Sequence, residues 1–254
     1  MPPEVVGAGK RRPDGRGSGL RHRLPCLVRA RRRRDDGRDV LRHEPITRHS
    51  GPLWSWLANA ALLIQSPVAH SLLLTARGRN LLARLAPPGT GSTLSTTTFV
   101  TIAALQVFAL FALWSPTGTI WWQARDVTLV ALTALYAGSW LLLGKSMLDA
   151  GLSLQTGSLG WTALLRGRKP AYPPMPTTGL FRLTRQPIYV AFALTLWTVP
   201  TWTPDQLVVA LTLTAHCLVA QRFKEARFRR VYGAAFDAYA ATVPCWLPWP
   251  RKQP

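Results

Sequence analysis

Acidic residues are scarce in this chain: 11 Asp and Glu stand against 31 Lys and Arg, a formal net charge of +20 over 254 residues. Cysteine is scarcer still. Cys26, Cys217 and Cys245 are odd in number, widely spaced and without a CxxC pair, which excludes a disulfide scaffold and argues against a zinc module. No metal site is expected. The first 50 residues also lack an apolar run of secretory-signal length, the longest being Leu24-Pro25-Cys26-Leu27-Val28. Charge of either sign is thin, at 17% of residues against 48% hydrophobic. A net charge of this size, read alone, suggests a nucleic-acid or membrane-surface protein. Carried by so few residues, it has to be unevenly distributed, with long stretches carrying almost none.

Residues 1–50 hold 14 Lys and Arg against 6 Asp and Glu, a net +8, and the remainder holds 17 against 5, a net +12. The early segment is rich in Arg, Gly and Pro, includes the block Arg31-Arg32-Arg33-Arg34, and has neither a helical nor a strand period. Its apolar surface is too small to offset chain entropy, so it is expected to be disordered. An arginine-rich nucleic-acid arm and a transit peptide are the alternatives, the second opposed by the six acids.

From Gly51 the texture changes. Residues 51–76, 85–124, 127–144, 186–204 and 206–221 contain no Lys, Arg, Asp or Glu. A helix rising ~1.5 Å per residue crosses the bilayer core with about 20 apolar residues, and five such runs do not suit a soluble domain of this size. The expected fold is all-α, a multi-pass transmembrane helical bundle with spans at 53–74, 98–116, 127–144, 186–203 and 206–221. The last two, joined by Thr201-Trp202-Thr203-Pro204-Asp205, form a hairpin. Trp114, Trp121 and Trp122 cluster as an aromatic belt does.

Loop charges then set the orientation. The 75–97 loop carries Arg77, Arg79 and Arg84 without an acid, and the 145–185 segment carries six basic residues against Asp149. After residue 221 come seven basic residues and two acids. The positive-inside rule places these three regions, and with them the C-terminus, in the cytoplasm. It also puts the +8 segment outside, against its own preference. Two domains follow, a basic segment 1–50 and a membrane domain 51–254.

Two stretches carry motif density. In Pro173-Pro174-Met175-Pro176-Thr177-Thr178-Gly179-Leu180-Phe181-Arg182-Leu183-Thr184-Arg185-Gln186-Pro187-Ile188-Tyr189, a glycine turn and two arginines precede a proline that opens a membrane helix. Basic flanks at a helix start have a purely structural reading too. Further on, Phe228, Val231, Tyr232, Ala235, Phe236 and Tyr239 fall on one face of a helix, with Arg227, Arg229, Arg230 and Asp237 around it, the pattern of an amphipathic helix lying on the bundle or the membrane. His70 at a span end and His216-Cys217 within a span are assigned no role.

These stretches resemble the isoprenylcysteine carboxyl methyltransferase superfamily, which includes the phospholipid methyltransferases. Its pattern G-x-[YF]-R-x-x-R-H-P-x-Y is matched at Gly179 to Tyr189. A hairpin, an acidic pair and an aromatic run ending in Val-Pro are matched by Lys224-Glu225, Tyr232-Gly233, Tyr239 and Val243-Pro244. Ala69-His70-Ser71 and the hairpin tip Thr198-Val199-Pro200-Thr201-Trp202-Thr203 are similar to the bacterial methanethiol S-methyltransferase branch. The resemblance covers about 53–250.

It implies S-adenosylmethionine as cofactor, in a cytoplasmic pocket lined by Pro173, Pro174, Met175, Pro176, Phe181, Gln186, Pro187, Ile188, Tyr189, Lys224 and Glu225. It also implies catalytic work by Arg185, Gln186 and Glu225, and methyl transfer to a small thiol or other hydrophobic acceptor at the membrane. A sulfonium methyl is already activated, so this chemistry needs positioning and water exclusion more than an acid or a metal. Two positions depart from the pattern: the family His is Gln186, and the first Glu of the pair is Lys224. A Gln cannot hold a proton as His does, and Lys reverses a charge beside a cationic cofactor. The competing expectation is a non-catalytic membrane protein that keeps the fold with a degenerate cofactor site. The lipid bilayer is the expected partner, in a bacterial inner membrane, and nucleic acid is not. Segment 1–50 lies where this family has another apolar span, and its text is what a misassigned start or shifted frame would produce.

Overall fold

The computed structural model describes residues 52–247. The expectation for segment 1–50 lies outside the described residues. Nine helices are described: α1 Pro52–Leu73, α2 Ala76–Leu85, α3 Gly91–Leu113, α4 Asp126–Asp149, α5 Leu152–Gln155, α6 Ser158–Leu165, α7 Pro187–Trp197, α8 Pro204–Tyr232 and α9 Ala234–Thr242. Two short strands, β1 Trp122–Gln123 and β2 Thr201–Trp202, pair antiparallel.

The long helices follow the uncharged runs. α3, α4 and α8 are each long and apolar enough to cross a membrane, and α1 with α2 forms a bent pair that adds a fourth candidate crossing. The flanks of these helices are apolar and turned outward: Phe108 and Phe111 are each 69% exposed and Leu141 is 76% exposed. Large side chains of that kind on the outside of a bundle fit lipid rather than water. Polar groups inside are paired across helices. Gln65 Nε2 donates to Gln106 O at 3.0 Å and Gln106 Nε2 to Gln65 O at 3.3 Å, joining α1 to α3. Buried Asn59 is bonded in both directions to the Ser115 backbone. Such bonds hold helices together where apolar packing gives no preference over lipid.

Four features differ from the expected layout. Residues 75–97 are not a simple loop: Thr75 caps α2 by accepting from Gly78 N at 3.1 Å, and α2 leaves α1 at 97°. The 145–185 segment contains the end of α4 and the short helices α5 and α6. The expected span 186–203 is helical only in the 11 residues of α7, a rise of roughly 16 Å that is about half the bilayer core. Its remainder runs into β2, paired with β1 through Trp122 and Trp202 and flanked by Trp121 N to Trp202 O at 2.9 Å and Ala124 N to Pro200 O at 2.8 Å. Hydropathy reports burial of a segment, not its backbone conformation, so a short helix followed by a strand gives the same signal as one span.

The fourth difference is in the C-terminal region. The amphipathic pattern of 228–239 is two helices, not one. α8 continues to Tyr232 and stops at Gly233, where φ is +52° and ψ −128°, a conformation that suits glycine. α9 then turns back, burying Phe236 to 2% exposure against Phe228, while Val231 is left 71% exposed. At 29 residues α8 is the longest helix described, a rise of roughly 44 Å that outruns the bilayer core. Its last three turns therefore carry charge beyond the apolar portion, and the candidate site is built there.

Candidate functional site

The site grows from the turn that leads into α7. Asp149, at the end of α4, accepts Leu180 N at 2.9 Å and pairs with Lys145 one turn back. That contact fixes the 3-10 turn Gly179–Arg182. Gly179 has φ +60°, and a Cβ there would stand 2.3 Å from Asp149 Oδ2, so only glycine fits beneath the carboxylate. The turn drives Phe181 inward to 2% exposure. Pro187 opens α7, where its missing N–H is no loss.

The segment 181–186 is strapped by the end of the described chain. Tyr239 Oη donates to Phe181 O at 2.7 Å. Thr184 Oγ1 donates to Cys245 O at 2.9 Å, and Arg185 N to Pro244 O at 2.9 Å. Arg185 Nη1 donates to Ala240 O and to Val243 O, both at 2.8 Å. The rest of the guanidinium faces α8, with Nε 2.9 Å from Glu225 Oε1 and Nη2 3.3 Å from Oε2. This two-point geometry is one that arginine makes and lysine does not. The Arg185 and Glu225 side chains are only 11% and 14% exposed.

Gln186, 1% exposed, completes the centre. Its Nε2 donates to Glu225 Oε1 at 3.1 Å and its Oε1 accepts Lys224 Nζ at 3.0 Å. The Lys224 ammonium also faces three rings, 5.6 Å from the centroid of Phe181, 5.5 Å from Tyr189 and 5.5 Å from Phe228. Cys245 Sγ lies 3.5 Å from Glu225 Oε1 and from Gln221 Oε1. Burial pushes the Tyr239 hydroxyl up to about 12, and burial, with the Glu225 charge next, raises the Cys245 thiol above its ordinary value. Both are neutral donors near pH 7. Among the described residues no buried side-chain nitrogen or oxygen lacks a partner, so the network is closed and polar groups are not spent on empty space.

Of the residues singled out from the sequence, Arg185, Gln186 and Glu225 form one hydrogen-bonded network, and Phe181, Tyr189 and Lys224 share one cluster. Pro187 is buried at the head of α7 and Ile188 follows it, half-buried. Pro173 lies against Gly151, whose added Cβ would meet its Cγ at 2.9 Å. Pro174, Met175 and Pro176 continue the same extended segment without a hydrogen bond to the network. Sequence reasoning overlooked Phe228 as a site residue. The signal was its place four residues after Lys224, hence on the same helix face. Tyr239 was noted in the motif without a site role, and Asp149 and Cys245 were overlooked, since their roles are long-range contacts with no local signature. His70 and His216, distant in sequence, meet ring to ring at 5.9 Å, with Phe99 4.9 Å from His70.

The arrangement can hold a cation against aromatic faces while an arginine clamps the adjacent carboxylate. No family model matches the chain. No solved structure matches it. Similarity to characterised proteins is nonetheless extensive. The chain is 27% identical over 216 residues to the methanethiol S-methyltransferase of Pseudomonas deceptionensis, covering 83% of this chain and 80% of that protein. It is 26% identical over 201 residues to the methanethiol S-methyltransferase of Mycobacterium tuberculosis, with 77% and 79% covered. It is 25% identical over 197 residues to methanethiol S-methyltransferase 1 of Bradyrhizobium diazoefficiens, with 77% and 68% covered.

Proposed function

We propose that this chain is an integral-membrane methyltransferase of the isoprenylcysteine carboxyl methyltransferase superfamily, transferring a methyl group from S-adenosylmethionine to a small thiol of the methanethiol kind. The observation that carries the reading is the similarity to methanethiol S-methyltransferases over 83% of the chain. The residues present fit a cationic donor. Three ring faces and the Gln186 carboxamide oxygen converge on one point, and that point already holds a positive charge. S-adenosylmethionine, when bound, supplies an activated methyl group on a sulfonium.

Phe181, Tyr189 and Phe228 would face that sulfonium, with the Pro173–Pro176 segment and Ile188 beside them. The chain's own contribution is positioning. Arg185 holds Glu225 by two bonds and Gln186 reads the same carboxylate, so the carboxylate and carboxamide cannot turn independently. The strap 240–245 closes the site on the Phe181–Arg185 side. A thiol acceptor reacts as its thiolate, and methyl transfer to it then requires alignment and exclusion of water. The apolar flanks let a hydrophobic acceptor arrive through lipid.

We place the protein in a bacterial inner membrane with the site and C-terminus on the cytoplasmic side, on the strength of the basic residues in 75–97, in 145–185 and after 221. The deciding experiment uses detergent-purified full-length protein with S-adenosylmethionine labelled in the methyl group and methanethiol as acceptor. Labelled dimethyl sulfide in the headspace is the expected product. Absence of S-adenosylmethionine binding at millimolar concentration would remove the reading and leave a non-catalytic membrane protein.

A further inference from the structure

The position of Lys224 is unusual for an ammonium group. Among the described residues it has no salt bridge, because the neighbouring Glu225 is committed to Arg185 and Gln186. Its hydrogen-bond acceptor is the Gln186 Oε1, and its other neighbours are ring faces contributed by three separate elements: Phe181 of the 3-10 turn, Tyr189 of α7 and Phe228 of α8. All three centroids lie within the ~6 Å at which a ring quadrupole attracts a cation. A primary ammonium carries three N–H donors, and a cage of this kind has little to offer them. Its chemistry suits a cation without N–H donors, a sulfonium or a quaternary ammonium, which draws its stabilisation from the ring faces.

We propose that Phe181, Tyr189 and Phe228 form an onium-binding cage that Lys224 fills from within, so that a sulfonium or quaternary ammonium ligand enters only by displacing the lysine ammonium. The cage rests on geometry; that its natural ligand is the sulfonium of a methyl donor rests on the function proposed above. The lysine is a tethered competitor at high local concentration. Apparent affinity for an external onium is then the affinity of the open cage multiplied by the fraction of molecules in which it is open.

The test is titration calorimetry of trimethylsulfonium and tetramethylammonium into full-length protein in detergent. Lys224→Ala empties the cage, and Lys224→Met fills it without charge. The expected result is at least tenfold tighter binding of both ions to Lys224→Ala than to the wild type, no such gain in Lys224→Met, and loss of the gain when Phe228→Leu is added to Lys224→Ala. Equal affinity of Lys224→Ala and wild type, or equal gain in both Lys224 variants, would overturn the cage. A second measurement needs no variant: acetylation footprinting of the wild type should show Lys224 labelling faster at saturating trimethylsulfonium, and unchanged or slower labelling overturns displacement. If trimethylsulfonium behaves as expected while S-adenosylmethionine does not bind, the cage stands and the proposed methyl donor falls.

Discussion

Arg185 donates to both carboxylate oxygens of Glu225 and to two backbone carbonyls of the strap, so truncating it removes partners from both sides at once. Leaving a largely buried carboxylate unpaired typically costs about 3 kcal/mol. Arg185→Ala is therefore expected to lower the melting temperature in detergent sharply, with Arg185→Lys recovering only part, because a point charge cannot span both oxygens. Tyr239 gives a pH-dependent counterpart. Burial raises its hydroxyl to about 12, so the stability it contributes is full below the ordinary tyrosine value near 10 and is lost as pH rises through about 12. Tyr239→Phe should cost about 1 kcal/mol at neutral pH, one hydrogen bond to Phe181 O. It should also flatten the alkaline limb of a melting-temperature against pH curve. Most of the network's members were legible as residues: Arg185, Gln186 and Glu225 stood out by motif. Their partners were not, because the Ala240, Val243 and Pro244 carbonyls are backbone groups that any sequence would supply.

The elements show where periodicity informs and where it fails. α3, α4 and α8 follow directly from uncharged runs, since twenty residues without charge have few other soluble or membrane solutions. The break at Gly233 was hidden because glycine is tolerated in a helical pattern and only its φ of +52° reveals the turn. The same apolar period continued on both sides, so one helix and two helices read alike. The β1–β2 pair involves two residues from each side, too short for alternation to register. Gly179 offers the sharpest test at this scale. A Cβ there meets the left-handed backbone penalty of about 1–2 kcal/mol and also the Asp149 carboxylate at 2.3 Å. Gly179→Ala should therefore lower the melting temperature and weaken onium binding together. Adding Asp149→Ala should relieve the clash without restoring the turn, which loses the acceptor of Leu180 N.

At the scale of the whole molecule, charge and hydropathy separate the ends of the bundle. One end carries the Asp205 carboxylate, which accepts Trp114 Nε1 at 3.1 Å and Thr117 N at 3.0 Å, together with the β1–β2 pair. The other carries the basic end of α8, the strap and the site. Reporter fusions at the C-terminus test the orientation: a fluorescent cytoplasmic reporter should be active and a periplasmic phosphatase inactive, and the reverse result would invert the assignment. Architecture was legible here because lipid imposes a length and a polarity on every crossing. The net +20 was not a single property, since +8 of it belongs to residues 1–50 and +12 to residues 51–254. The strap has a consequence in time as well as space. Ribosomal synthesis delivers Phe181, Arg185, Gln186 and Glu225 before Ala240, Val243, Pro244 and Cys245. A nascent chain can therefore insert its long helices while the centre still lacks the carbonyls that orient Arg185. A chain ended before Val243 lacks the Val243 carbonyl that accepts Arg185 Nη1, the Pro244 carbonyl that accepts Arg185 N and the Cys245 carbonyl that accepts Thr184 Oγ1.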